Sequence, residues 1–360
     1  MTSTDSHIQI RLCGSRETWN PAVLRLGGTL YHSWEWGEMR QAQGWIPWRI
    51  LAESEGNPCA AAHILEKRLP ARAGSLLYVA TGIAGGDNDV RVVKNLVSWI
   101  KSFARERDAI LLRMDPQFPD TDQSRKSMLI ANGLRPLPDE WSFWNLQRSN
   151  MVVDIDHSEE AILRKMRSRY REYIKRVSRD GQLVEDKCEI PQLRELYELV
   201  LKSSERQGFP VQAFDHFCHL REHLIAEGRG LLLLARKSGR AVAGVVCTHF
   251  GKTCYYLYGG LDRDALQAHV TEFLHWKAIQ WARSIGCTRY DLMGTGTSYP
   301  PKEGNRGYGL YHFKKGFGAE LTYSAGYFDL VCNKLLYHGL RFAERNPSLI
   351  DFAIKLGCVS

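Results

Sequence analysis

Nowhere in the 360 residues does an apolar run approach the eighteen or more needed to cross a bilayer as a helix. The N-terminus, MTSTDSHIQIRLCG, lacks the basic and apolar regions of a signal peptide, so a cytoplasmic location is expected. None of the nine cysteines falls in a C-x-x-C pair, and the odd count fits reduced thiols used as small buried hydrophobes. The twelve histidines show no H-E-x-x-H pattern, and no metal is expected. A G-x-S-x-G elbow, a P-loop and a strand-following G-x-G-x-x-G are all missing, which argues against a serine hydrolase, a P-loop nucleotidase and a dinucleotide enzyme.

Enough remains to build two domains. Hydrophobic residues make up 44% and charged residues 24% of the chain. A chain this long buries roughly 75% of its unfolded surface and needs no disulfide or metal staple. Its net charge of +8 permits a polyanionic partner without requiring one. Along the chain, WIPWRILAES, CAAAHILEKRL and SLLYVATG read as successive strands, followed by an amphipathic helix over Val90 to Arg107 and the strand AILLRMDP. MVVDIDHSEEAIL restarts this order. A helix is expected from Ser158 to Arg179, stopping at Gly181, then two more helices, three strands, a long helix over Val270 to Ile285, and the strand TRYDLMG. FARERDAILLRMD answers WARSIGCTRYDLM, which suggests a duplicated α/β unit with its boundary near Asn150. The last strand, AELTYSAGYFDL, and a helix over Asn333 to Glu344 are expected to return to the first domain. The expected domains are therefore 1–150 with 319–360, and 151–318.

Three segments carry chemistry. From Arg164 to Arg179 there are eight Lys or Arg and one acid, Glu172. Ile162, Met166, Tyr170, Tyr173, Ile174 and Val177 form an apolar stripe, and Arg164, Arg167, Arg171 and Lys175 form a basic one. Guanidinium groups in such a stripe suit phosphates, whereas an ordinary solvated helix face mixes its signs. The second segment, GTGTSYPPKEGNRGYGLYHFKKGFGAE, is a long Gly- and Pro-rich loop of the kind that is usually functional. Lys314 and Lys315 lie between Phe313 and Phe317, which suggests one residue packed and another reaching into a site. A lysine there is placed to hold a phosphate or a developing oxyanion. In the third, HSWEWGEMRQAQGW, aromatic residues and a histidine surround Arg40. No Q/R-x-x-G-x-G/A turn leads into a helix, so the pyrophosphate loop of an acetyl-CoA enzyme is missing.

Together these segments resemble the Fem family (FemA, FemB, FemX), which builds peptidoglycan interpeptide bridges from aminoacyl-tRNA. HSWEWGEMRQAQGW resembles the family's W-G-x-x-K segment, with Arg40 at the Lys position. YVATGIAGG and LLRMDP resemble two strand-end motifs, and MRSRYREYIKRVSRDG a basic helix with Arg171, Ile174 and Lys175 in register. YYLYGG, FLHWKAIQWARSIGCTRYDLMG and GLYHFKKGFGAE resemble the C-terminal block almost continuously.

The resemblance implies an α/β (α+β) fold of two tandem acetyltransferase-like (GNAT) domains, each a mixed, mainly antiparallel sheet flanked by helices. It implies catalytic roles for Lys314 and Asp115, the former assisting transfer and the latter near the acceptor peptide. Arg40 and Arg171 would bind the diphosphate of a nucleotide-linked acceptor, with Trp36, Lys175, Tyr256, Tyr258 and Phe313 as further substrate contacts. Arg164, Arg167 and Lys315 would touch tRNA. The chain lacks the heptad-rich insertion of larger members between Val200 and Glu227 and looks like the compact FemX-type form.

The implied partners are aminoacyl-tRNA and a UDP-linked muramyl peptide or lipid II, with peripheral membrane contact admitted and no cofactor. The donor ester is already activated, so positioning and oxyanion stabilisation suffice. Three alternatives stay open: a tRNA-dependent transferase acting on a peptide or nucleoside natural product, an acyl-CoA N-acyltransferase, and a non-catalytic RNA-binding protein of the same fold.

Overall fold

The computed structural model describes residues 8–70, 73–138, 148–180, 183–186, 188–263, 268–295, 301–305 and 307–344. Of the sequence expectations, the helix stop at Gly181, the start of the Gly/Pro-rich loop at 296–300, and residue 306 lie outside the described residues. The chain divides into two units, Met1–Arg148 with Tyr323–Ser360, and Ser149–Thr322. No helix among the described residues is long and apolar enough to cross a membrane.

The first unit contains β1 (Ile8–Leu12), α1 (Arg16–Arg25), α2 (Trp34–Ala42), β2 (Ile46–Ser54), β3 (Asn57–Arg68), β4 (Ser75–Ala84), α3 (Val90–Arg105), β5 (Ala109–Met114), α4 (Gln123–Ala131) and β6 (Leu134–Pro136). The second contains β7 (Ser149–Asp154), α5 (Glu159–Lys165), α6 (Ser168–Arg179), β8 (Leu183–Glu185), α7 (Ile190–Gln207), α8 (Phe214–Leu220), β9 (Gly230–Lys237), β10 (Arg240–Phe250), β11 (Thr253–Leu261), α9 (Val270–Ser284), β12 (Arg289–Gly294), α10 (Tyr308–Lys315) and β13 (Glu320–Tyr323). The chain then adds β14 (Phe328–Val331) and α11 (Lys334–Glu344) to the first unit.

The duplication is explicit in the sheets. One runs β1-β2-β3-β4-β5-β14-β6, and the other, read from its far edge, β8-β9-β10-β11-β12-β7-β13. In each, one parallel pair sits among antiparallel neighbours, β4 with β5 and β11 with β12. A parallel pair needs a long crossover, supplied by α3 in one unit and α9 in the other. Asp89 caps α3 by accepting from Arg91 N at 2.8 Å, and Val93, Leu96, Val97, Ile100 and Ala104 are buried against the sheet. Each such side chain contributes roughly 1.5–3 kcal/mol of burial.

Three sequence expectations are corrected. The basic helix is two helices, because Met166 and Arg167 are extended and the backbone N–H of Arg167 turns to donate to Gly316 O at 2.9 Å. The break wraps the chain around the Gly316 turn, where Tyr170 lies so close that a Cβ on Gly316 would sit 2.3 Å from its ring. YHFKK is not loop but the end of α10. The last strand is divided, with Glu320–Tyr323 pairing in the second sheet and Phe328–Val331 in the first.

Gly260 shows how tightly α7 rests on β11: a Cβ there would meet Val200 N at 2.3 Å and Leu199 C at 2.3 Å. Backbone cannot swing aside as a side-chain tip can. Gly260→Ala is expected to destabilise the fold by about 1–3 kcal/mol, read as a lowered urea midpoint. An unchanged midpoint would mean that helix and strand are not in this contact.

Candidate active site

In the second unit, β11 and β12 pair only as far as Tyr255 opposite Asp291. Beyond that point β11 stays with β10, while β12 follows β7, bulging between Asp291 and Gly294 with Met293 at φ 64°. The separating strands leave a notch, and the carbonyls on its β12 side lose their ladder partners. Lys314, in the last turn of α10, fills it. Its Nζ donates to Gly294 O at 2.7 Å and Met293 O at 3.3 Å. An ammonium has three N–H donors, and among the described residues the third has no acceptor.

Lys314 is only 3% exposed. Burial pulls it from an ordinary value near 10.5 down to about 7, against the attraction of Asp291. Asp291 is also buried, and desolvation raises its carboxyl while Met293 N at 2.7 Å and Asn150 Nδ2 at 2.8 Å hold it back. The sequence reading did not single out Asp291.

Aromatic rings wall the lysine. Phe313 lies 5.7 Å from His275 and 5.3 Å from Phe317, and Tyr256 lies 4.6 Å from His275. Tyr170 Oη donates to Phe313 O at 3.0 Å. His275 is fully buried and lowered to about 3, first by desolvation and then by Lys314. Its Nδ1 lies 2.9 Å from Tyr290 Oη, and among the described residues its buried Nε2 has no partner. Pattern reading missed this histidine because, in the middle of α9, it looks like one more core position.

The basic residues do different things. Arg171 donates to Met166 O at 2.7 Å and closes the end of α5, whereas Arg164, Lys175 and Lys315 are exposed. Arg167 reaches His312 Nδ1 at 2.9 Å. Arg167, Ser168, Arg169, Tyr170, Tyr173, His269 and Glu272 line a cavity of about 520 Å³. α6 and α9 both begin at this cavity, and among the described residues neither start has a side-chain cap, so the first backbone N–H groups of α6 lie beside the two arginines. Tyr256 and Tyr258, expected to line one groove, do not share a face. A bulge at Val246–Cys247 sends Tyr256 to His275 on α9 and Tyr258 to His216 on α8, with an Oη to Nε2 distance of 2.9 Å.

The first unit repeats the notch with different chemistry. β4 and β5 separate after Val79 opposite Met114, and β4 bulges through Thr81 and Gly82, both with positive φ. Asp115 follows β5 and is 4% exposed, accepting from Thr81 N at 2.8 Å and Tyr78 Oη at 3.1 Å. Desolvation outweighs these bonds and raises its carboxyl to about 7. His32 Nδ1 accepts from Thr29 N at 3.2 Å, so the other nitrogen carries the proton and donates to Gly82 O at 3.0 Å.

Arg40 does not gather the aromatics of its segment. It donates to Gln43 Oε1 at 2.6 Å and lies 5.1 Å from Trp45, while Trp34 packs under Arg49 at 3.5 Å. Trp36 packs on Tyr31 at 4.7 Å, and among the described residues its buried Nε1 has no partner.

One group has metal-ligand geometry after all: the ligand atoms of His219, Glu222 and His223 lie within 4.8 Å of one another. The H-x-x-E-H order escaped a search for H-E-x-x-H.

With this geometry in place, comparison with known proteins is informative. Residues 25–133 match the FemAB family and residues 164–315 match an acetyltransferase (GNAT) domain. A lipid II:glycine glycyltransferase of Staphylococcus epidermidis is 21% identical, covering 91% of this chain and 94% of its own. The Staphylococcus aureus protein of the same name is 22% identical over 399 positions, with the same coverage. That alignment is longer than this chain's 360 residues, so the relative carries insertions. The crystal structure of FemX superposes with a TM-score of 0.82 at 20% identity, covering 92% of this chain and all of its own. A tandem GNAT protein of clavulanic acid biosynthesis superposes with a TM-score of 0.55. The fold is thus a tandem GNAT fold.

The two notch residues predict opposite pH effects. Between about pH 7 and 10.5 the unfolded chain keeps a proton on Lys314 that the folded chain has lost, so stability rises with pH. Relative to Lys314→Met, the native protein should gain on the order of a few kcal/mol across that window. Between about pH 4 and 7 the folded chain keeps a proton on Asp115 that the unfolded chain loses, so stability falls with rising pH and Asp115→Asn should gain on the native protein. Urea midpoints measured from pH 4 to 10 check both, and flat differences would show that neither group is desolvated.

Proposed function

We propose that this chain, whose residues 25–133 match the FemAB family, moves an amino acid from aminoacyl-tRNA onto an amine of a peptidoglycan precursor, a UDP-linked muramyl pentapeptide or lipid II. The observation that carries this reading is Lys314, an ammonium buried in the β11–β12 notch and held by the carbonyls of Met293 and Gly294. The relatives' names supply the acceptor class, since the S. epidermidis and S. aureus proteins are lipid II:glycine glycyltransferases.

The reaction needs no covalent enzyme intermediate. The acceptor amine attacks the ester carbonyl, a C–N bond forms, and the C–O bond to the ribose breaks. The leaving ribose oxygen takes the proton that the amine gives up. Negative charge develops on the carbonyl oxygen at the tetrahedral stage, and the ammonium of Lys314 is placed to receive it in a poorly solvated site. Arg167 and Arg169, at the start of α6, offer the tRNA backbone a phosphate site, with Arg164 and Lys315 as exposed outer contacts. In the first unit, Asp115 is the group we assign to the acceptor peptide, with Arg40 and Trp36 as acceptor contacts.

A second reading has a specific observation behind it. A cavity with two arginines at two helix starts would also take the diphosphate of an acyl-CoA. The test separates them: the protein is incubated with labelled aminoacyl-tRNAs and a UDP-linked muramyl pentapeptide, with and without ribonuclease. Ribonuclease-sensitive extension by one residue is expected, and turnover with acyl-CoA instead would overturn the tRNA reading.

Lys314→Ala should lose roughly 10²–10³ in rate while keeping its fold. Because Asp291 favours the charged lysine, Asp291→Asn should move the loss of activity at high pH to lower pH. An unmoved profile would remove Asp291 from this role.

A further inference from the structure

Helix α11 leaves outward apolar side chains that a surface helix normally buries. Its inner face is mixed: Tyr337 and Leu340 pack with Ile110 and Leu111, and buried polar groups lie beside them. Tyr337 Oη donates to Asp329 Oδ2 at 3.1 Å, and Arg341 pairs with Glu344. Glu344 accepts from Arg113 Nη1 at 2.7 Å, and Arg113 grips Asp329 through two bonds of 2.8 Å. These groups lock the helix onto β5 and β14 with Asp329 fully buried. Its outer face is apolar, with Leu335 83% and Phe342 65% exposed one heptad apart, flanked by Leu336 at 41%. Surface helices normally bury the apolar stripe and expose the charges. Here Arg341 and Glu344 are turned inward into ion pairs, and two large apolar side chains are held outward on that support.

We propose that this face docks on an anionic phospholipid bilayer. The charge around it argues for that occupant. Lys334 opens the helix exposed, and Lys101 and Arg105 act on Cys332 just before it. The only acid of the helix, Glu344, is turned inward to Arg113. A convex apolar ridge with cations at one end matches a helix lying at a headgroup boundary, whereas the core of a protein interface is depleted of lysine. The inference deepens the proposed transfer reaction, because a lipid-linked acceptor is presented at such a surface, but it is measured without that reaction.

The test uses the full chain with vesicles of phosphatidylcholine alone or mixed with phosphatidylglycerol, separated by flotation. The protein should float with the anionic vesicles and be released by high salt. Leu335→Asp with Phe342→Asp should lower the bound fraction about tenfold, leaving the circular dichroism and transfer to a soluble UDP-linked acceptor unchanged. Lys334→Glu should weaken binding to anionic vesicles. The inference is overturned if the native protein floats with neither vesicle, or if the double variant floats as well as the native. Self-association abolished by the double variant, with no flotation, would overturn it in favour of a second copy of this chain. Flotation without label transfer from aminoacyl-tRNA would leave the bilayer inference standing and remove the transfer reading instead.

Discussion

Two parallel strands that part before their ends leave backbone carbonyls without their ladder partners, and the second unit is organised around that constraint. A buried carbonyl without a donor costs roughly 1–3 kcal/mol. Lys314 satisfies two of them, at Met293 and Gly294. Any neutral donor would have served that structural need at a smaller desolvation cost. A buried ammonium whose proton is held only to about pH 7 is expensive for a cap. The expense makes sense where a positive charge in a poorly solvated notch is itself the requirement, as it is when an oxyanion must be held.

The elements around the notch follow from the same constraint. α10 has to approach β12 closely enough for a lysine to reach the strand backbone, and the turn after it, through Gly316, presses on Tyr170. The basic segment then cannot run straight. It breaks at Met166–Arg167, and a second helix starts with its N–H groups at the cavity beside Arg169. One helix start thus comes to lie beside Arg167 and Arg169 because of how the chain is steered around Lys314. Arg171, which looks like a ligand by its spacing, is used to close the preceding helix.

Much of the architecture was legible in the sequence. The 3.6-residue pattern of α3 and the repeated order of helix, strands, helix and strand are local signals, and local signals survive into the fold. The FKK segment reads in sequence as one residue packed and another reaching into a site; in the fold Lys314 is buried and Lys315 exposed. What was not legible depends on contacts far apart in sequence. The break at Met166 is imposed by Gly316, and the opposite facing of Tyr256 and Tyr258 comes from a one-residue bulge. Asp291 gains its role only when β12 lies beside β11. His275 is hidden by its surroundings, since in a helix as apolar as α9 a histidine reads as core until its hydrogen bond to Tyr290 is seen.

Duplication gave the chain two notches, and the residue at each mouth decides what that unit can do. The first unit places a carboxyl there, Asp115, and desolvation lifts it to about 7. The second places an ammonium there, and desolvation lowers it to about 7. The same physical cause thus brings an acid and a base to the same pH from opposite sides. Below that pH the lysine is charged and the carboxyl neutral, and above it the reverse holds. A lysine that holds an oxyanion must be charged, and a carboxyl that steers an amine must be ionised. The two requirements overlap only in a narrow band around neutrality, where burial has placed both groups. Moving either notch toward solvent would return its residue to an ordinary pKa and widen that band, but the field each charge exerts would weaken with the same step.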